Sequence, residues 1–191
     1  MIRKILVGVL VSLSIAGSAQ LVCAQAPPFD SPANAAGNPN QDGHIGRWFY
    51  QYDGIRRAAQ MNPEEKARAD AAMAGGMKSM LTGGPEKAAA AEILTKLARS
   101  NQQAADAMKG LKLYPETAQL HRGYFKYFND AQALFTDYLA VQNNLFATDA
   151  SGKSIASNLL LRKQALADLD ASNKILDGQL RQRFNIPPYK Y

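Results

Sequence analysis

One stretch limits what this chain can fold into: residues 115–146, PETAQLHRGYFKYFNDAQALFTDYLAVQNNLF. Its apolar side chains recur in steps of three and four, from Leu120 through Tyr124, Tyr127, Phe128, Ala131, Leu134, Phe135, Tyr138 and Val141 to Leu145 and Phe146. That period predicts one long amphipathic helix. Gly123, Asp130, Asp137 and Asn144 lie seven apart on the other side, a face expected to be wet. A stripe this rich in aromatic rings cannot stay in water, so flanking segments must cover it.

Two neighbours have the pattern to do so. Gly83-Gly84-Pro85-Glu86 stops one helix and opens the next. In that helix Ala90, Leu94, Leu97, Asn101, Ala104, Met108 and Leu111 form a heptad seam with one polar member. After the loop ATDASG a last helix runs from about Ser154 to Phe184, with Ile155, Leu159, Arg162, Leu166, Leu169, Asn173, Leu176 and Leu180 as its seam. Asn101 and Asn173 each interrupt an apolar row in the second half of a helix. An up-down-up arrangement makes those helices parallel, so the two amides are expected to share a buried hydrogen bond that fixes register. The competing expectation makes them polar anchors on the floor of a ligand pocket.

Upstream, Ile45, Trp48, Phe49, Tyr52, Ile55 and Ala59 make one face of a shorter helix. Asn62-Pro63-Glu64-Glu65 reads as a fresh helix start, with an N-cap, Pro at the first position and acids in the first turn. That helix runs toward Leu81, is interrupted by Gly75-Gly76, and shows Met73, Met77 and Met80, taken as core filler. The predicted fold is all-α: an antiparallel up-and-down bundle of three long helices near 85–110, 115–147 and 154–184. The segments near 45–60 and 63–82 would close or flank one side, the first packing hard against the central stripe through its three rings.

Asn38, Asn40, Asp42, Gly43 and Ile45 follow the start of an EF-hand calcium loop. The position of the closing bidentate Glu is held by Phe49, however, and Gly46 supplies no ligand side chain. The expectation is an Asx-rich turn capping the next helix, and no metal. Gly152-Lys153-Ser154 resembles the end of a phosphate loop, but the glycine five residues earlier is replaced by Ala147 and no strand precedes it. His44 and His121 have no partner at metal-ligand spacing, and a solvated His121 is expected. No Glu-x-x-His pair and no C-x-x-C-H occur, which excludes a ferritin-like di-iron site and covalent haem.

The first 26 residues read as a secretory signal: Arg3 and Lys4, then an apolar run from Ile5 to Ala16, then small residues with cleavage after Ala24 or Ala26. The run is short for a membrane anchor. The only cysteine, Cys23, lies inside it, so the mature chain would carry no thiol, as an oxidising compartment tolerates. Loss of Arg3 and Lys4 takes the net charge from +6 to +4, with the cations scattered, which argues against nucleic acid as a partner. Residues 27–41 read as a disordered linker, 42–186 as a single domain, and 187–191 as a short extended tail.

With no convergent titratable cluster, the expected function is an exported, non-catalytic interaction module for a protein or envelope surface, without cofactor and without a membrane span in the mature chain. The alternative is a bundle that holds an apolar or aromatic small molecule beneath Tyr124, Tyr127 and Tyr138. Mass spectrometry of protein recovered from an expressing bacterium is expected to find a mature N-terminus at Gln25 or Pro27. Soluble protein that keeps Met1 contradicts export.

Overall fold

The seam read from 85–111 is buried along its whole length, Asn101 included. A computed structural model of the chain describes residues 39–68, 70–71 and 85–190. The signal, most of the linker, Asn38 and the methionine row at 73–80 lie outside these residues. Five helices follow one another: α1 (Pro39–Ala59), a shorter α2 opening at residue 63, α3 (Pro85–Gly110), α4 (Ala118–Asn143) and α5 (Ile155–Arg183). Among the described residues the only β pairing is one bridge, Thr148 to Ser154. None of these helices is long and apolar enough to cross a membrane.

The neighbours run antiparallel, as specific ties show. His121, at the start of α4, donates Nε2–H to the carbonyl of Met108 near the end of α3 (2.7 Å). Gln142, at the other end of α4, donates to the carbonyl of Lys87 near the start of α3 (2.8 Å). Asp137, late in α4, pairs with Arg162, early in α5. Between α1 and α5, Arg181 holds Asp53 and Asp177 holds Arg56, so the numbers again run in opposite senses. The expected solvated His121 is therefore half-buried and structural.

Helix α1 closes one side of the bundle and packs against the central stripe as its rings require, but its start departs from expectation. It starts at Pro39 rather than near Ile45, so Asn40 and Asp42 belong to a helix and not to a capping turn. Proline favours the first helical position, which explains the early start. Its Trp48, Tyr52, Phe49 and Ile45 are the four largest fully buried side chains among the described residues. Trp48 stacks on Tyr52 (centroids 4.9 Å), and Tyr52 meets Tyr124 of α4 edge-on (5.3 Å). The bundle thus has four walls at this end, ordered α1, α3, α4, α5, with α3 and α5 on a diagonal. Beyond Ala59 the core continues between α3, α4 and α5, around Leu94, Leu97, Ala131 and Phe135, with Met61 packed against them, and then around Leu134, Val141 and Leu159.

The diagonal also overturns the expected Asn101–Asn173 bond. Asn101 Nδ2 donates to the Leu97 carbonyl of its own helix (2.9 Å), and Asn173 packs on Gly123 of α4. Hence Gly123 does not face water. A Cβ there would fall inside the radius of Asn173 Oδ1. The helix also stops short of Phe146: Asn144 turns extended and its side chain accepts the N–H of Phe146 (3.0 Å), which leaves Leu145 and Phe146 exposed.

Other turns follow their sequence. Asn62 Oδ1 accepts the N–H of Glu65 (2.8 Å) while Glu65 Oε2 accepts the N–H of Asn62 (3.2 Å), a capping box. Asp149 Oδ1 accepts from the N–H groups of Ser151 and Lys153, so the 149–153 turn is organised by a carboxylate and holds no phosphate cradle.

Gly123→Ala should gain about 1 kcal/mol of helix propensity, so its sign is informative. In the native background we expect a net loss of about 1–2 kcal/mol from the forced shift of Asn173. In an Asn173→Ala background the same change should stabilise. A denaturant double-mutant cycle checks this, and additivity would overturn the close approach.

Candidate functional site

Where α1 runs out, the bundle is left open. Helix α1 ends at Ala59, and Asn62-Pro63 starts α2, whose Lys66 borders the opening. The result is a cleft of about 270 Å³ between α1, α3, α4 and α5. Its deep wall is Tyr124, Tyr127, Phe128 and Phe135 of α4, with Leu97 and Asn101 of α3 opposite. Ala59, Gln60 and Met61 form one lip, and Asp170, Lys174 and Tyr189 the other.

Three of the five residues singled out from sequence come together here: Tyr124, Tyr127 and Asn101. Tyr138 does not line the cleft, although it lies less than one turn beyond Phe135. It sits instead against the Leu94 and Leu134 clusters, where burial raises its phenol pKa. Asn173 turns to Gly123 and does not line the cleft.

The polar groups in the cleft have distinct electrostatics. Burial, and after it the Asp170 carboxylate, pushes the Tyr127 phenol up to about 12, against the pull of Arg56. Tyr127 therefore keeps its proton at any physiological pH. Burial likewise holds the Tyr52 phenol well above its usual value behind the cleft, again opposed by Arg56. Asn101 is nine-tenths buried, and its Nδ2 is committed to Leu97. Since a carbonyl only accepts, the amide orientation is fixed and Oδ1 is the free end. It has no hydrogen-bond partner among the described residues.

Sequence reasoning missed the groups that hold this end together. The Arg56 guanidinium lies 4.6 Å from the ring centre of Tyr124 and 4.0 Å from that of Tyr189, and bonds Asp177 Oδ2 at 3.2 Å. Asp177 Oδ2 also accepts from Arg181 Nε (3.0 Å). Arg181 in turn binds Asp53 and the carbonyl of Pro187 (2.8 Å). Burial alone would lower the Arg181 pKa, but the carboxylates of Asp53 and Asp177 outweigh it and the net shift is upward. The segment after α5 is thus strapped across the bundle, and Tyr189 O–H donates to Gln60 Oε1 (2.9 Å). A signal existed: the α1 stripe continues by fours from Tyr52 to Arg56, and Asp177 and Arg181 sit four apart beside the α5 seam.

Among the described residues no group of three or more His, Cys, Asp or Glu side chains converges to hold a metal ion. The arrangement offers apolar walls, the acceptor of Asn101 and the protonated phenol of Tyr127, which suits binding.

The raised Tyr127 pKa has a stability consequence. Between the unfolded value near 10 and the folded value of about 12, the unfolded chain has lost the proton that the folded chain keeps. Stability from this group is complete below pH 10 and falls as pH rises toward 12. Unfolding midpoints measured from pH 9 to 12 should drop less steeply in Tyr127→Phe, and parallel curves would contradict the assignment. In comparisons with known proteins, no family model, no curated protein and no solved structure matches this chain.

Proposed function

We propose that this chain is a non-catalytic binding protein that takes an apolar or aromatic small molecule in the cleft beneath Tyr124 and Tyr127. The observation behind this reading is the open end of the core. Helix α1 stops while its neighbours continue, so aromatic side chains border space that no other part of the described chain fills. Apolar lining with a few placed polar groups is the usual make-up of small-molecule sites. The secretory pattern of residues 1–26 supports work outside the cytoplasm, where such a protein would carry or sense its ligand.

A second reading, docking on a protein or an envelope surface, is favoured by the apolar side chains left in water. Phe146, Leu160 and Leu161 are 85%, 79% and 70% exposed. If that face docks, Leu160→Gln with Leu161→Gln should release the protein from an isolated envelope fraction. Unchanged retention, or none in the native protein, rejects docking there.

The cleft is tested with the fluorescent apolar probe N-phenyl-1-naphthylamine. Saturable enhancement is expected with native protein and its loss with Ala59→Phe, which fills the lip, in a variant whose unfolding midpoint shows that it is folded. Absence of saturable binding, or binding unaffected by Ala59→Phe, overturns the proposal.

A further inference from the structure

The polar atoms of the cleft narrow the class of ligand, an inference that rests on the binding function proposed above. Three properties matter: size, charge and hydrogen-bond polarity.

Size comes first. An apolar cavity of about 150 Å³ holds a benzene ring, and this cleft has about 270 Å³. Two fused rings suit it better than one, and larger ligands would project past the lips.

Charge comes next. Each cation bordering the cleft has a carboxylate beside it: Arg56 has Asp177, Lys66 has Asp70, and Lys174 has Asp170. A ligand anion would have to displace one of these carboxylates and sit near Asp170. A ligand cation would meet Arg56, packed in a cage of rings. The cleft is balanced, and a neutral molecule enters it without a lost ion pair.

Hydrogen-bond polarity is the most specific. Asn101 presents an acceptor, and its orientation is locked by the Leu97 carbonyl behind it. In a nine-tenths buried position, an acceptor that an apolar ligand covers loses its access to water and gains nothing. A ligand that donates to it avoids that loss. The Tyr127 hydroxyl, which also lines the cleft, adapts to either polarity by rotation.

We infer that the cleft selects neutral bicyclic aromatic molecules bearing an N–H or O–H donor, indoles and naphthols in chemical class, and that Asn101 Oδ1 receives the donor. Selection of this kind is strong because the wrong ligand leaves a buried polar atom unpaired.

The test uses two isomers of equal size, 3-methylindole, which keeps its N–H, and 1-methylindole, which lacks it. Both are titrated by displacement of N-phenyl-1-naphthylamine from the native protein. The 3-methyl isomer is expected to bind about tenfold tighter, the effect of one unpaired buried group. In Asn101→Leu, or Asn101→Met if leucine does not fit, the two isomers should bind alike. Equal binding to the native protein overturns the inference and leaves the binding function standing. A preference that survives both substitutions of Asn101 also overturns it. If the probe itself does not bind, the binding function and the inference fail together.

Discussion

Asp177 is the hinge of this structure. One carboxylate oxygen, in a nearly dry position on α5, accepts from Arg56 of α1 and from Arg181 one turn further on. Arg181 then reaches Asp53, so two cations and two anions close the gap between the first and last helices. Those helices are joined by long side chains and not by close backbone packing. Taking such charges out of water is costly, and the set is tolerable because each charge meets an opposite one, although Asp177 Oδ1 has no hydrogen-bond partner among the described residues. Rings complete the cage: Arg56 lies over Tyr124 and Tyr189, and Arg181 lies 4.7 Å from the centre of Phe49.

The cleft depends on this closure. With α1 anchored at Asp53 and Arg56, its last turn ends at Ala59, across the cleft from the rings of α4. The same closure puts α3 and α5 on a diagonal, so Asn101 faces the opening while Asn173 is absorbed by Gly123. Two asparagines with the same pattern in sequence thus have different roles, decided by which helix lies opposite each.

Periodicity carried most of the architecture in the sequence. The α3 seam is buried residue for residue, and the capping box at Asn62 and Glu65 was readable from four letters. Helix ends were less legible. Pro39 begins α1 six residues before the apolar pattern does, because a helix start is set by backbone preference and not by the first buried side chain. Asn144 ends α4 before its apolar pattern is exhausted, for the same reason. The role of Arg56 was hidden because a hydrophobic pattern counts a buried arginine as a break, although the step of four from Tyr52 had marked its place. The cleft was half legible: the tyrosine-rich stripe pointed to it, but only the end of α1 decides which tyrosines border open space.

The buried ion set holds α1 to the bundle. Trp48, the only tryptophan, sits in α1 and is fully buried, so its emission reports on that wall during unfolding. In denaturant titrations followed by this signal, Asp177→Ala should lose about 3–5 kcal/mol, the cost of stranding buried cations. Asp106→Ala, which breaks an exposed, solvent-screened pair with Lys109, should lose far less. A loss in Asp177→Ala no larger than in Asp106→Ala would contradict the claim.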